Sequence, residues 1–255
     1  MAGILRPLNQ DKSFEPAVVG IGFQKCGSSS LHNLLGLAGV SFFEKELHLA
    51  GEPGLSRERY LRAFPRAPKA EIVGEFTPNY IYSLHAMRFL ARELTDTKFL
   101  VVMRNPIDRF YSAANHARGI GRIAMDLSAQ EILDGAISGA RVNWHRTIVK
   151  NGLYGEHVER ALSLVPTSRI HFCFLEDIVD EQRGGDTRES ILSFCGLNPE
   201  FAALELPHVN KAGHHLKGGP ELQRSSSVDQ RLKDIYGPST GLLESILGRK
   251  APWFF

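Results

Sequence analysis

A lysine inside a glycine-rich turn is the first feature of the sequence that could do chemistry. The segment "VVGIGFQKCGSSSLHNLL", residues 18–35, leads from an apolar run through this turn into a stretch with helical periodicity. Glycines allow a tight turn, so that consecutive backbone amides can point at one anion. The helix that follows directs the positive end of its dipole to the same place. The segment predicts an anion-binding loop made of Lys25, Cys26, Gly27, Ser28, Ser29 and Ser30.

The loop departs from the pattern of nucleoside triphosphatases at one position. In an alignment with G-x-x-x-x-G-K-[ST], Gly22 and Gly27 match the two glycines, and Ser29 matches the last position. Ser28 stands in the place of the lysine, and the lysine itself lies within the turn, as Lys25. This arrangement leaves open which phosphate-bearing ligand the loop binds.

A cation follows a later apolar run, where a triphosphatase would have a carboxylate. In those enzymes an aspartate at this strand end helps to hold Mg²⁺. Here the apolar run "FLVVM" is followed directly by Arg104. The chain continues as "RNPIDRFYSAANH", in which Pro106 suits a first helical turn. Ser112 lies eight residues after Arg104 and could donate to the same phosphate. Together they predict a second phosphate that is bound directly by protein groups, without metal.

These segments require a scaffold of alternating strands and helices. Nearly continuous apolar runs occur at 17–23, 40–43, 71–76, 98–104 and 169–177, of which 40–43 is the weakest. Such runs are typical of strands that are covered on both faces. Helical patterns occur at 28–38, 56–64, 79–94, 106–117, 128–138, 151–165, 187–196 and 228–247. The alternation predicts a three-layer, P-loop-type α/β fold with a central parallel sheet flanked by helices.

The domain organisation follows from length and from the absence of an internal repeat. A chain of 255 residues is long enough for one large α/β domain or two small ones. We predict a single domain over 1–255, in which 1–15 form an N-terminal extension. The polar, glycine-rich segment 205–227 is predicted to be a loop that covers cofactor and substrate, and 228–255 a helix and tail.

Composition indicates which classes of partner and which cellular compartment to expect for this chain. Thirty basic and 28 acidic residues give a net charge of +2, which indicates no nucleic-acid partner. The three cysteines are too few for a disulfide framework, and no cluster with the spacing of metal ligands is present. No signal peptide or membrane-spanning run is recognised. We therefore expect a metal-free, cytoplasmic protein without a membrane span, and the sequence leaves its oligomeric state open.

The two anion-binding segments together resemble those of a known enzyme family. The combination of "GFQKCGSSSL" and "VVMRNPIDRFYSA" is similar to the sulfotransferases that use 3′-phosphoadenosine 5′-phosphosulfate (PAPS). The resemblance covers roughly residues 17–220. It implies that the 5′-phosphosulfate is bound by Lys25, Gly27, Ser28 and Ser29. It also implies that Arg104 and Ser112 bind the 3′-phosphate.

Within this family, the chain looks most like the carbohydrate (heparan sulfate-type) branch. The segment "EKELHLAGEPGLSRERYLRAFP" is similar to the K-E-x-H-F-F-like segment of that branch. The likeness implies that Glu46 is the catalytic base, with His48 as the second candidate, and that Lys45 contacts substrate. The late "HLKGGPEL" resembles the lysine–glycine loop over the nucleotide, which implies that Lys217 and Gly218 contact the cofactor.

A third motif carries one departure from the branch. The segment "GEFTPNYI" resembles the E-K-[ST]-P-x-Y pattern and implies Glu75 and Tyr80 as substrate contacts. Phe76 stands where the pattern has lysine. One cation that would line the cleft for an acidic polysaccharide is therefore missing from this chain.

The chemistry of sulfuryl transfer agrees with these residue types. It should resemble phosphoryl transfer, in which a loose transition state places charge on the leaving phosphate. Lys25 could stabilise that charge, while Glu46 or His48 removes a proton from the acceptor. The expected acceptor is a hydroxyl or amine of a carbohydrate, a glycolipid or a small metabolite. The expected second product is adenosine 3′,5′-bisphosphate.

Two other functions remain open at this stage. One is a P-loop kinase or hydrolase that uses Mg²⁺ and ATP, against which stand Ser28 at the lysine position and Arg104 at the aspartate position. The other is a non-catalytic nucleotide-binding relative, which the joint presence of Lys25 and Glu46 disfavours.

Overall fold

A parallel sheet forms the centre of the molecule. The structure is a computed structural model that describes residues 15–42, 46–64, 72–139, 144–182, 184–203 and 219–253. The strands are β1 (Val18–Gly22), β2 (Val40–Phe42), β3 (Ile72–Phe76), β4 (Lys98–Met103) and β5 (Ile170–Phe174). Their order is β2-β3-β1-β4-β5, and each neighbouring pair is parallel. This arrangement confirms the predicted fold class.

Helices connect and flank the strands. Those in the described residues are α1 (Ser28–Leu37), α2 (Arg57–Leu61), α3 (Leu84–Glu93), α4 (Pro106–Gly119), α5 (Ala129–Ser138), α6 (Trp144–Lys150), α7 (Tyr154–Leu162), α8 (Leu175–Val179), α9 (Gly184–Phe194) and α10 (Ser226–Leu247). Short 3₁₀ helices cover Leu49–Gly51, Tyr80–Tyr82, Thr167–Arg169 and Pro199–Ala203. Among these described helices, none is both long and apolar enough to cross a bilayer.

Burial explains why the central strands are nearly continuous in apolar residues. Val18, Val19 and Ile21 of β1 are fully buried, as are the residues from Phe99 to Met103 of β4. Helices cover both faces of these strands, so that neither face can carry polar side chains. A second apolar cluster lies between α4, α5, α6 and α10, away from the sheet, and includes Phe110, Ile132 and Tyr236.

Three elements differ from the sequence prediction. The strand predicted at 169–177 ends at Phe174, because the chain turns into α8 at Leu175. The helix predicted at 79–94 is divided: a 3₁₀ turn comes first, and Ser83 then caps α3 by accepting from the amide of Ala86 at 3.2 Å. Helix α6 was not predicted, since its seven residues are too few for a clear period; it packs against α4 and α5.

The carboxyl ends of the three adjacent strands β3, β1 and β4 meet at one edge of the sheet. The amide of Thr77, just after β3, donates to Gly20 of β1 at 2.9 Å. The amide of Phe23, just after β1, donates to Val102 of β4 at 2.8 Å. This edge is where ligands bind in open parallel sheets, and it places the predicted site residues of three segments side by side.

Candidate active site

The predicted anion loop connects β1 to α1 and depends on Gly27. This residue has φ +87°, a left-handed conformation, and α1 begins directly after it at Ser28. A Cβ atom on Gly27 would lie 2.5 Å from Cδ1 of Leu175, closer than any real contact. Lys25 also has a positive φ, 68°, which is unfavourable for a residue with a side chain and occurs mainly at functional sites. The packing around the loop therefore holds its backbone at positive φ at both Lys25 and Gly27.

Aromatic side chains of the protein interior pack against the anion loop and hydrogen-bond to it. The hydroxyl of Tyr82 accepts from the amide of Gln24 at 3.2 Å. The ring of Phe23 lies 5.7 Å from that of Tyr82, 4.5 Å from that of Tyr154 and 5.8 Å from that of His157, measured between centroids. The loop thus rests on a packed, largely buried surface that keeps its amides in place.

His157 of this surface is held in its neutral form. Its Nε2 is 3.3 Å from the carbonyl oxygen of Lys150, and its Nδ1 is 2.8 Å from Nη2 of Arg160. The first is a donor contact and the second an acceptor contact, which together fix one neutral tautomer. Burial, with the charge of Arg160, lowers the pKa of His157 from 6.5 to about 4.

This shift predicts a loss of stability in mild acid. Between pH 6.5 and 4 the unfolded chain binds a proton at His157 while the folded chain does not, so that stability falls as the pH falls through this window. The contribution of this shift to the free energy of unfolding is at most about 3.4 kcal/mol. We expect His157→Gln, which keeps an acceptor for Arg160, to show a smaller loss in urea unfolding between pH 7 and 4. Exposed His85→Gln is the control, and equal pH slopes for wild type and H157Q would contradict the assignment.

A buried tyrosine joins the anion loop to the strand that carries Arg104. Tyr154 is 1% exposed, and its hydroxyl donates to the carbonyl oxygen of Arg104 at 2.8 Å. The sulfur of Cys26 lies 3.3 Å from the same hydroxyl. Burial raises the pKa of the Cys26 thiol to about 11, so it remains protonated at neutral pH and can donate to the tyrosine oxygen. The side chain of Cys26 is thereby occupied in the interior, and its amide is the group that could contact phosphate.

Arg104 lies at the beginning of α4, next to a carboxylate. The side chain of Asn105 caps this helix by accepting from the amide of Ile107 at 3.0 Å. Nη2 of Arg104 is 3.8 Å from Oδ2 of Asp108, whose other oxygen is 2.6 Å from Nη1 of Arg224. Arg104 is one third exposed, and Ser112, in the second turn of α4, is half-buried. Arg104 is thus oriented by a partner and still accessible to an anion.

Glu46 and His48 form a pair near the end of β3. Their side chains are 30% and 53% exposed, and Oε2 of Glu46 lies 3.1 Å from Nε2 of His48. The amides of Leu47 and His48 donate to Oγ1 of Thr77 at 3.0 and 3.4 Å. The segment that carries the two candidate bases is therefore attached to the strand next to β1.

Glu75 and Tyr80, predicted as substrate contacts, lie beneath the surface. Glu75 is fully buried and Tyr80 is 2% exposed, and their side chains bond to one another at 2.5 Å. Their contact with an acceptor stays a prediction, and a different role is proposed for both residues below. Phe76 is also buried: its ring fills the space in front of Gly20, where a Cβ atom would lie 2.3 Å from it.

Some predictions cannot be compared with the structure. Lys45, Lys217 and Gly218 lie outside the described residues. Within the described ranges, no group of three or more His, Cys, Asp or Glu side chains could hold a metal ion. The predicted absence of a metal stays a prediction.

The structure adds three supporting residues that motif reading missed: Tyr154, Tyr82 and Thr77. Each hydroxyl bonds to the backbone of a loop distant in sequence. Tyr154 lies in "NGLYGEHVERAL" and Thr77 in "GEFTPNYI", two segments that resemble family segments but do not indicate which groups these hydroxyls contact. Tyr82 lies one residue beyond the second segment.

Comparisons with known proteins identify the family. The family model of the sulfotransferase domain matches residues 15–211. Among curated relatives, heparan sulfate glucosamine 3-O-sulfotransferase 3B1 of Mus musculus is 24% identical over 262 residues, which cover 93% of this chain and 65% of the relative. This chain therefore spans less than two thirds of that relative's length.

Experimental structures show the same fold. A sulfotransferase from Alicyclobacillus acidocaldarius matches with a TM-score of 0.73 and 20% identity, over 92% of this chain and 97% of that one. Retinol dehydratase in complex with retinol and PAP matches with a TM-score of 0.51 and 15% identity, over 95% and 84% of the two chains. The family model confirms the enzyme class that the sequence predicted, and the chain belongs to the sulfotransferase family.

Proposed function

We propose that this chain transfers a sulfuryl group from PAPS to a hydroxyl or amine of a glycan, glycolipid or small-metabolite acceptor. The proposal rests on one observation: the hydroxyl of Tyr154 contacts both Cys26, in the loop of Lys25, and the carbonyl oxygen of Arg104 at the end of β4. Two anion-binding segments are thereby held side by side at one edge of the sheet. PAPS carries two separate anionic groups, and this pair of subsites suits it.

The charges at the two subsites come from protein groups. The loop amides, the N-terminus of α1 and Lys25 would bind the 5′-phosphosulfate. Arg104, Ser112 and the N-terminus of α4 would bind the 3′-phosphate. A sulfuryl group bears less negative charge than a terminal phosphoryl group. Fixed amides and one ammonium group can therefore stabilise its transfer.

The Glu46–His48 pair supplies a proton acceptor for the incoming hydroxyl or amine. We assign Glu46 as the base and His48 as the group that orients it through the 3.1 Å contact. Lys25 stabilises the negative charge that develops on the leaving phosphate. The reaction is then a single in-line transfer, with the sulfur–oxygen bond to the phosphate breaking as the bond to the acceptor forms.

Two observations indicate the chemical class of the acceptor: the name of a curated relative and the residue type at position 76. The curated relative is named for heparan sulfate glucosamine, which favours a glycan acceptor here as well. Phe76 stands where the related motif has a lysine, and the absence of that cation favours an acceptor with fewer negative charges than heparan sulfate.

Nucleotide binding tests the proposal and separates it from the alternatives. We expect adenosine 3′,5′-bisphosphate to bind in the presence of EDTA, as measured by titration calorimetry, and adenosine 5′-monophosphate to bind more weakly. Tighter binding of ATP with Mg²⁺ would instead support a kinase or hydrolase. Tight bisphosphate binding without sulfate transfer to a panel of glycans, glycolipids and small hydroxyl or amine compounds would support a non-catalytic relative.

Arg104→Ala is expected to weaken bisphosphate binding about 10- to 100-fold, the value of one or two charge-assisted hydrogen bonds. The affinity for adenosine 5′-monophosphate should change little, because that nucleotide lacks the 3′-phosphate. Arg231→Ala, which breaks a surface ion pair of 2.7 Å with Asp134, is the matched control. Equal losses for both nucleotides in R104A would contradict the assignment of Arg104 to the 3′-phosphate.

A further inference from the structure

Glu75 is a buried carboxylate that is surrounded by hydroxyl groups. It is 0% exposed, and three hydroxyls donate to its two oxygens. Oε1 accepts from Thr77 at 2.7 Å and from Tyr80 at 2.5 Å, and Oε2 accepts from Tyr60. Burial raises the pKa of Glu75, and the three hydrogen bonds oppose that change.

Because these hydroxyls donate to Glu75, their oxygen atoms remain available to accept hydrogen bonds from other groups. A hydroxyl has one proton, and an ionised carboxylate can only accept. Thr77 and Tyr80 therefore use their protons on Glu75 and keep their lone pairs for other donors. Oγ1 of Thr77 accepts from the amides of Leu47 and His48, and the oxygen of Tyr80 accepts from the amide of Ala50 at 3.3 Å.

All three amides belong to the segment 46–51, which carries Glu46 and His48. His48 has φ +56°, so the backbone is held in an unfavourable conformation at this point. Hydrogen bonds from a polarised network are stronger than isolated ones, and such networks rigidify what they contact.

We propose that Glu75 is a positioning residue that acts through the hydroxyls of Thr77 and Tyr80 to hold the Glu46–His48 pair in place for proton transfer. The catalytic part of this inference rests on the function proposed above; the structural part, that the network orders segment 46–51, does not. The assignment replaces direct substrate contact as the role of Glu75 and Tyr80.

Tyr60 offers a matched control within the same network. It is as buried as Tyr80 and makes the same kind of bond to Glu75. The amides of segment 46–51, however, bond to Thr77 and Tyr80. Removing either tyrosine hydroxyl takes one donor from the carboxylate, but only the loss of the Tyr80 hydroxyl also takes an acceptor from the segment.

The first test compares kinetics of Tyr60→Phe, Tyr80→Phe, Thr77→Val and Thr77→Ser. We expect T77V and Y80F to lower kcat about 10- to 100-fold with an unchanged Kd for adenosine 3′,5′-bisphosphate, because they misplace the base and leave the nucleotide site intact. Y60F and T77S should stay within about threefold of wild type, since both keep the acceptors of the segment. Equal losses of kcat in Y60F and Y80F would overturn the proposal.

The second test does not depend on activity. Amide hydrogen exchange of Leu47, His48 and Ala50 should be about tenfold faster or more in T77V and Y80F, and unchanged in Y60F. Thermal unfolding identifies any variant that fails to fold, and if T77V is one of these, the comparison of Y80F with Y60F carries the test. If exchange is the same in all variants, the network does not order the segment. If exchange changes as expected but the wild type neither binds the bisphosphate nor transfers sulfate, the proposed function fails and the ordering role stands.

Discussion

Lys25→Ala is expected to lower the rate of sulfate transfer by about 10²–10³-fold, the loss that follows removal of one donor to a developing negative charge. In the proposed mechanism the ammonium group acts on the oxygen that leaves with the phosphate, and this oxygen gains charge only as the bond to sulfur breaks. The interaction is therefore stronger in the transition state than in the bound donor, so that its loss appears in kcat. Alanine has the same backbone preference as lysine at φ 68°, so the loop shape is retained.

Single-turnover kinetics with saturating PAPS and acceptor measure this step directly, without the contribution of product release. Lys98→Ala is a suitable control, because Lys98 begins β4 at the opposite edge of the sheet and donates to the carbonyl oxygen of Ser168. A K25A enzyme with the wild-type single-turnover rate would show that Lys25 does not act on the leaving group.

Glu46→Gln should reduce the rate about 10²–10⁴-fold, the usual contribution of a general base. Glutamine keeps the size of the side chain and a contact with His48, but it cannot take the proton of the acceptor. The rate is expected to remain low across the pH range, because the missing group is absent at every pH. Measurements at saturating acceptor separate this effect from any change in acceptor binding.

Two further variants decide which member of the pair is the base. Glu52→Gln serves as the control, because Glu52 lies in the same part of the chain and pairs with Arg59 at 2.6 Å on the surface. His48→Gln should cost less than E46Q if His48 orients the carboxylate. A larger loss in H48Q, with near-normal turnover in E46Q, would assign the base to His48.

The glycine-rich turn after β1 and the position of Arg104 after β4 were predictable from sequence, because both depend on local properties. Gly27 is needed for its left-handed backbone, and Arg104 follows a strand that is apolar from Phe99 to Met103. The order of strands and helices was equally accessible, since burial on both faces leaves a continuous apolar run. Predictions of this kind need only the neighbours in the chain.

The supporting hydroxyls were not predictable, because each acts on a segment distant in sequence. Tyr154 is 128 positions from Cys26, and Thr77 is 30 positions from Leu47. Nor does the motif around Glu75 reveal which groups surround its carboxylate, since the hydroxyls of Tyr60 and Tyr80 that donate to it lie outside the strand. Helix α6 was missed for a related reason: it is short, and packing against α4 and α5 stabilises it.

The predictions still to be tested include the single-domain organisation, the cytoplasmic location, and the ligand contacts of the site residues together with the absence of a metal. Proteolysis, fractionation and a crystal structure with adenosine 3′,5′-bisphosphate would address them in turn.

The bond from Tyr154 to the backbone of Arg104 has a consequence for turnover. Because this bond and the contact to Cys26 are internal to the protein, the spacing between the two proposed phosphate subsites is set during folding. Both phosphates of the donor remain on the spent nucleotide after the sulfuryl group has left. Contacts that hold them equally before and after reaction add affinity without speeding chemistry. The same rigidity that selects the donor should therefore make the spent nucleotide a strong competitive inhibitor and its departure a slow step.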